Sequence, residues 1–248
     1  MTTRHVALVT GGMGGIGGAI AKVLHDAGHA VLVTHSPGNE HADSWLEQQA
    51  ALGYTYKAYP VDVADFASCQ RMAEAIAKDG YQVDILVNNA GITRDGRFLK
   101  MGKSDWDAVM HVNLDSIFNV TRQFCSGMVE QGWGRIVNIG SINGTKGQFG
   151  QCNYAASKAG MHGFTESLAL EVAGRGVTVN TVSPGYIATP MVSAVPKEVL
   201  ETKVIPLIPV GRLGQPEEVA ALVGFVCSDS AAFMTGSNVA MNGGQHMS

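Results

Sequence analysis

The stretch VALVTGGMGGIGGAIAKVLHDAG, Val6 to Gly28, decides the fold. Val6 to Thr10 is a short β-branched run that ends in glycines. From Gly14 onward apolar residues recur at three and four, the helical period, until Gly28 reads as a helix stop. A strand therefore feeds a helix through TGGMGGIG, Thr10 to Gly17. In that turn Gly11 permits a tight reversal, Gly15 lets the backbone approach a pyrophosphate, and Gly17 permits close packing of the helix. The helix N-terminus adds free N–H groups and a positive dipole end. The spacing is G-x-x-x-G-x-G, not the commoner G-x-G-x-x-G, and no Gly-Lys-Ser/Thr ending marks a nucleotide-hydrolysing P-loop. A glycine turn can serve packing alone, but its place at a strand-to-helix junction points to a dinucleotide.

The same alternation runs outward from this unit. Further β-branched runs lie at 30 to 34, 56 to 62, 84 to 90, 135 to 141, 177 to 184 and 238 to 244, making seven strands, with helical patterns between them. Strands alternating with helices imply right-handed crossovers: an α/β fold, one Rossmann-type doubly wound parallel sheet with helices on both faces, spanning 1–248 as a single domain. Ligands of such sheets bind beyond the carboxyl ends of the strands, so residues ending these runs are the first candidates for function. The one irregular piece, Tyr186 to Pro216, carries five prolines and suits a lid over the site.

Composition narrows the partner. The chain has 248 residues, 46% hydrophobic and 15% charged, enough for one large core, and its net charge of -4 leaves no footprint for nucleic acid or an anionic membrane. A small molecule is expected instead. The apolar run Val6 to Val9 is too short for a secretory segment and no stretch approaches 18 apolar residues, so the expectation is a soluble, cytoplasmic protein. Cys69, Cys125, Cys152 and Cys227 lie far apart and read as reduced, mostly buried thiols. No metal is expected: His25 and His29 have ligand-like spacing, but Gly28 separates them from a common helical face.

Further along come NNAG (Asn88 to Gly91), the Asn113 of HVNL, the Ser141 of NIGS, YAASK (Tyr154 to Lys158) and SPGYIAT (Ser183 to Thr189). Reducing a ketone by hydride transfer needs a proton donor for the alkoxide oxygen, and tyrosine can serve if a cation steadies its phenolate. Lys158 follows Tyr154 by four residues, on the same helical face. Alone the pair reads as a helix edge. With Ser141 and Asn113 each at or near the end of its element, it reads as catalytic.

With TGGMGGIG, these ordered motifs resemble the short-chain dehydrogenase/reductase family over nearly the whole chain. The resemblance implies a catalytic tetrad of Asn113, Ser141, Tyr154 and Lys158: Ser141 holding the substrate carbonyl, Lys158 binding the nicotinamide ribose, and Asn113 keeping a water that relays protons through Lys158. It implies a cofactor site at Gly11, Met13, Gly15, Ile16 and Gly17 in the turn, at Asn89, Ala90 and Gly91, and at Pro184, Gly185, Ile187 and Thr189 near the nicotinamide. Asp62 would meet the adenine, although a helix-cap or turn role suits it nearly as well. The family also implies a homotetramer built through the Tyr154 helix and its neighbour, with Gly160 and Gly163 permitting close approach and Met161, Phe164, Leu168 and Val172 forming a buried stripe.

After the second strand, His35 and Glu40 are the residues expected near the ribose, Glu40 either accepting a ribose hydrogen bond or repelling a 2′-phosphate. An acidic residue there takes the 2′-hydroxyl of NAD, an arginine the 2′-phosphate of NADP. No Lys or Arg occurs between Lys22 and Lys57, which favours NADH, with NADPH the alternative. Within the family, NNAGITRDGRF, GWGRIVNI, NGTKGQFGQCNY and NGGQHM are most similar to the acetoacetyl-CoA reductase branch of polyhydroxybutyrate biosynthesis. That likeness implies reduction of acetoacetyl-CoA, or another short 3-oxoacyl-CoA, to an (R)-3-hydroxyacyl-CoA, with Gln148, Phe149, Gln151 and Tyr186 shaping the acyl pocket. Lys100, Lys103 and Lys146 are candidates for the CoA phosphates. The alternative is a 3-oxoacyl-acyl-carrier-protein reductase, which wants basic residues at the site mouth. Before the fifth strand the chain offers only Val129, Glu130 and Gln131, with Arg175 the remaining cation. A nucleotide-sensing protein without catalysis would be expected to lack Tyr154 or Lys158.

Overall fold

A computed structural model describes residues 4–193 and 196–247. Seven strands form one sheet: β1 (Val6–Val9), β2 (Ala30–His35), β3 (Tyr56–Pro60), β4 (Ile85–Asn88), β5 (Gly134–Ile139), β6 (Val177–Pro184) and β7 (Asn238–Met241). Their order is β3-β2-β1-β4-β5-β6-β7 and every pairing is parallel. The helices are α1 (Gly15–Asp26), α2 (Ala42–Ala51), α3 (Phe66–Lys78), α4 (Lys103–Met110), α5 (Ser116–Gln131), α6 (Asn143–Lys146), α7 (Cys152–Val172), α8 (Pro190–Ser193), α9 (Lys197–Val199) and α10 (Pro216–Cys227).

Side-chain alternation along the strands divides the core into two layers. Ala7, Val9, Val31, Val33, Ile85 and Val87 face one side, where Ile20 and Leu24 of α1 and Val219 and Val223 of α10 cover them. Leu8, Leu32, Leu86 and Ile136 face the other, against Met72 and Ile76 of α3, Phe124 and Met128 of α5 and Ala169 of α7. Burial on both faces is why the strands read as continuous apolar runs.

The strand order reverses between β1 and β4, which opens a crevice at the carboxyl edge of the sheet. Several expected strands stop short of that edge. Thr10, Asn89, Ala90, Gly140 and Ser141 lie just past their strands, where the backbone leaves the ladder and side chains are free to line the crevice.

Two further expectations are corrected. On α7 the buried positions are Asn153, Ser157, Lys158, Met161, Thr165, Ala169 and Val172, whereas Phe164 and Leu168 are only half-buried, because the inward face follows the line from Lys158 through Met161, Thr165 and Ala169 and leaves Phe164 and Leu168 at its edge. Cys69 and Cys227 are buried, but Cys125 is intermediate and Cys152, in the first turn of α7, is exposed; all four are free. Within 186–216, Ala194 and Val195 lie outside the described residues. The rest is irregular: α8, α9 and the turns Leu200–Val204 and Ile205–Leu207. Its two ends are tied where Ala188 N donates to Gly214 O and Gly214 N donates to Tyr186 O. Among the described residues no helix is long and apolar enough to cross a membrane.

Candidate active site

The glycine turn is built around backbone contact. Gly11 and Gly15 have φ of +60° and +51°, conformations that side chains disfavour. A Cβ on Gly17 would stand 2.4 Å from Gly11 O and 2.5 Å from Asn89 Nδ2, so this position holds α1 against the turn. Thr10 Oγ1 accepts from the backbone N–H groups of Asn89 and Ala90, and Asn89 Nδ2 donates to Thr10 O and Gly11 O. NNAG thus locks the turn to β4. The bare backbone of Gly11, Gly14 and Gly15 and the N-terminus of α1 border a cavity of about 610 Å³, a donor set that fits a dinucleotide pyrophosphate.

Tyr154 and Lys158 project from α7 into that cavity, and Ser141 meets them from the loop after β5. Ser141 Oγ accepts the Asn143 N–H at 3.1 Å, leaving its own proton free to donate. Burial raises the Tyr154 phenol above its ordinary pKa, and the adjacent Ser141 hydroxyl offsets only part of that. Lys158 Nζ lies 5.7 Å from the Tyr154 ring centroid and donates to Ile139 O at 2.7 Å. Burial alone lowers its pKa to about 8. The expectation that Lys158 pulls the phenol down is therefore corrected for the chain by itself: desolvation dominates both groups and keeps the tyrosine protonated.

Asn113 does not line the cavity. It sits in a π turn, His111–Asp115, between α4 and α5, where Ser116 N donates to His111 O. Its amide is held by Ile92: Oδ1 accepts Ile92 N at 2.8 Å and Nδ2 donates to Ile92 O at 2.9 Å. The missing side chain of Gly91 leaves a gap between Asn113 and Lys158. A Cβ there would lie 3.3 Å from Asn113 Oδ1 and 3.8 Å from Lys158 Nζ.

Of the other expected site residues, Ile16, Asn89, Ala90, Gly91, Pro184, Gly185, Ile187, Thr189, Gln151 and Tyr186 line the cavity. Met13, Gly17, His35, Glu40 and Asp62 do not. Met13 accepts a contact from Asn39 Nδ2 at 3.6 Å, and His35 Nδ1 lies 2.9 Å from Ser36 O. Asp62 Oδ1 accepts the Ala64 N–H, the geometry of a turn residue. Gln148 and Phe149 are exposed and do not line the cavity; Phe149 is 80% exposed and lies under the Arg97 guanidinium.

Asp95 and Asn143 were not singled out from the sequence, yet both line the cavity. They form a directed chain, with Gln151 Nε2 donating to Asp95 Oδ2 at 2.8 Å and Asn143 Nδ2 donating to Gln151 Oε1 at 2.9 Å. The available signals were the Asp95 of GITRD and a polar residue two places after Ser141. Arg175 precedes β6 and so lies at the opposite edge of the sheet, where it donates to Val129 O; within one protomer it does not reach the cavity mouth.

A family model for short chain dehydrogenase matches residues 5–199. An acetoacetyl-CoA reductase from Cupriavidus necator is 53% identical over 99% of both chains. Nodulation protein G from Azospirillum brasilense is 50% identical over 98% of both. A 3-oxoacyl-acyl-carrier-protein reductase from Vibrio cholerae is 44% identical over 98% of this chain and 97% of its own. A glycine turn locked to NNAG, a half-buried tyrosine and a buried lysine one helical turn apart and a family match across most of the chain agree: this protein belongs to the short-chain dehydrogenase family, oxidoreductases that act on CH–OH groups with NAD(P)H.

Proposed function

We propose that the protein reduces acetoacetyl-CoA, or another short 3-oxoacyl-CoA, to the (R)-3-hydroxyacyl-CoA. The observation that carries this reading is the meeting of Ser141, Tyr154 and Lys158 in one cavity beside the glycine turn. The likeness to acetoacetyl-CoA reductases supports the substrate class. Oxidation of the reduced cofactor on adding acetoacetyl-CoA, compared with a carrier-bound acetoacetyl thioester, tests it; turnover of the carrier thioester alone would favour the carrier-protein reaction.

The cofactor supplies a hydride to the 3-oxo carbon when bound. Tyr154, held protonated by burial, gives its proton to the ketone oxygen as charge develops there. Ser141, its acceptor side occupied by Asn143 N–H, donates to the same oxygen and polarises it beforehand. Lys158 would hold the nicotinamide ribose and, with a pKa near 8, would return a proton to Tyr154, its own proton being replaced from the side of Asn113, where Gly91 carries no side chain. Gln151 and Tyr186 position the acyl group, and segment 186–216 covers it as a lid.

We further propose NADH as the preferred cofactor. The turn after β2 carries His35, Glu40 and His41 but no Lys or Arg, so a 2′-phosphate finds no fixed cation on it. Comparing kcat/KM for NADH and NADPH tests this. A cytoplasmic homotetramer is the remaining part of the proposal. Phe118 of α5 and Leu170 of α7 are 53% and 87% exposed, apolar side chains on the two helices through which a second copy would pack.

A further inference from the structure

The cavity must take both the reacting end of the dinucleotide and the acyl group, so a coenzyme A thioester leaves its nucleotide end outside. This inference rests on the acyl-CoA reading above. Two borders of the cavity offer a way out, and they differ in charge.

On the 196–216 side the cations are largely neutralised: Lys197 pairs with Glu201 and Arg212 with Glu218. On the other side stand the loops after β4 and β5, clamped together where Gly96 N donates to Gly150 O at 2.8 Å. Here Arg94, Arg97, Lys100 and Lys146 are all exposed, and none joins an ion pair among the described residues. The nearby carboxylate, Asp95, is engaged by Gln151. Lys103, which the sequence also offered for the phosphates, is paired with Asp107.

Between these cations lies an exposed aromatic ring. Phe149 is 80% exposed, and the Arg97 guanidinium sits 5.6 Å from its centroid. Asp95 and Gln151, two residues from Arg97 and Phe149 in sequence, line the cavity, so the ring stands at its rim. One face under a guanidinium and the other open is a platform on which a planar base stacks, with cations at hand for phosphates.

We propose that Arg97 and Phe149 bind the adenosine phosphate end of the coenzyme A thioester, the base on the ring and the phosphates toward Arg97, Lys100 and Lys146. An acidic carrier protein has no base to stack, so the platform selects coenzyme A.

The test compares kcat/KM for acetoacetyl-CoA with that for acetoacetyl-pantetheine, which has the same reacting end and no nucleotide. Wild type should prefer the CoA thioester. Arg97→Ala and Phe149→Ala should each cut that preference about tenfold, through KM rather than kcat. Arg97→Lys should restore the salt-sensitive part only. Adenosine 3′,5′-bisphosphate should compete with acetoacetyl-CoA in wild type and bind more weakly to Arg97→Ala. Equal kcat/KM for the two thioesters in wild type, or variants that lower both by one factor, would overturn the platform. Failure of wild type to turn over either thioester counts against the reductase reading instead; the bisphosphate binding then decides the platform, and no binding rejects it.

Discussion

Burial sets the protonation of the two reacting side chains of α7 in opposite ways. Tyr154 is pushed toward its protonated form and Lys158 toward its neutral one. Tyr154→Phe keeps the ring and removes the proton, so turnover should fall on the order of 10² to 10⁴ while cofactor affinity, read by fluorescence titration, stays close to wild type. A variant that stayed fully active would remove Tyr154 from the mechanism. Lys158 makes a separate prediction about stability. Its pKa is about 8 in the fold against 10.5 unfolded, so between these values the unfolded chain binds more protons. This group alone therefore adds about 2 kcal/mol between pH 8 and pH 10 in the cofactor-free protein, while the thiols of Cys69 and Cys227, pushed up to about 12 by burial, act in the opposite direction over the same window. Above pH 10 the buried tyrosines, whose pKa values are raised, push the other way. Urea denaturation of wild type and Lys158→Met isolates the lysine, because the thiols and tyrosines are common to both: wild type should gain about 2 kcal/mol relative to the variant between pH 8 and pH 10.

At the scale of the element, the glycine turn depends on two neighbours that differ sharply. Gly17→Ala drives a methyl into Gly11 O and Asn89 Nδ2, which should cost about 1–3 kcal/mol and weaken cofactor binding. Gly14→Ala adds a methyl with nothing within 4 Å, at a position of extended backbone, and should change stability by less than about 1 kcal/mol. Thermal melts of both variants check the contrast. The same region shows how far the sequence can be read. Strand β1, the turn and α1 were legible because buried parallel strands and amphipathic helices have different periods. The π turn at Asn113 was not, since a five-residue segment, His111–Asp115, is too short to show in a periodicity read over about 11 or more residues. Tyr154 and Lys158 could be placed on one face from spacing alone, but the fate of the lysine could not: its partner, Ile139 O, comes from a strand 19 residues away. The settings of Phe149 and Asp62 were not legible for a common reason, that a side chain's direction in a loop is set by tertiary contacts that no local pattern records.

For the whole molecule, the parallel sheet gathers residues from five separate segments at one edge, and the charges around that edge govern what enters. The cation-free turn after β2 should give a higher kcat/KM with NADH than with NADPH; the reverse ratio would show that a cation from elsewhere reaches the phosphate. Light scattering should give the mass of four 26.1 kDa chains, whereas an active monomer would leave the exposed face of α5 and α7 without its proposed role. The most direct measurement follows NADH oxidation at 340 nm, a wavelength where only the reduced nicotinamide absorbs, on mixing the full chain with acetoacetyl-CoA. Stoichiometric oxidation with formation of (R)-3-hydroxybutyryl-CoA, lost in Tyr154→Phe, is the predicted result. No oxidation with either cofactor, or equal rates in wild type and Tyr154→Phe, would contradict it.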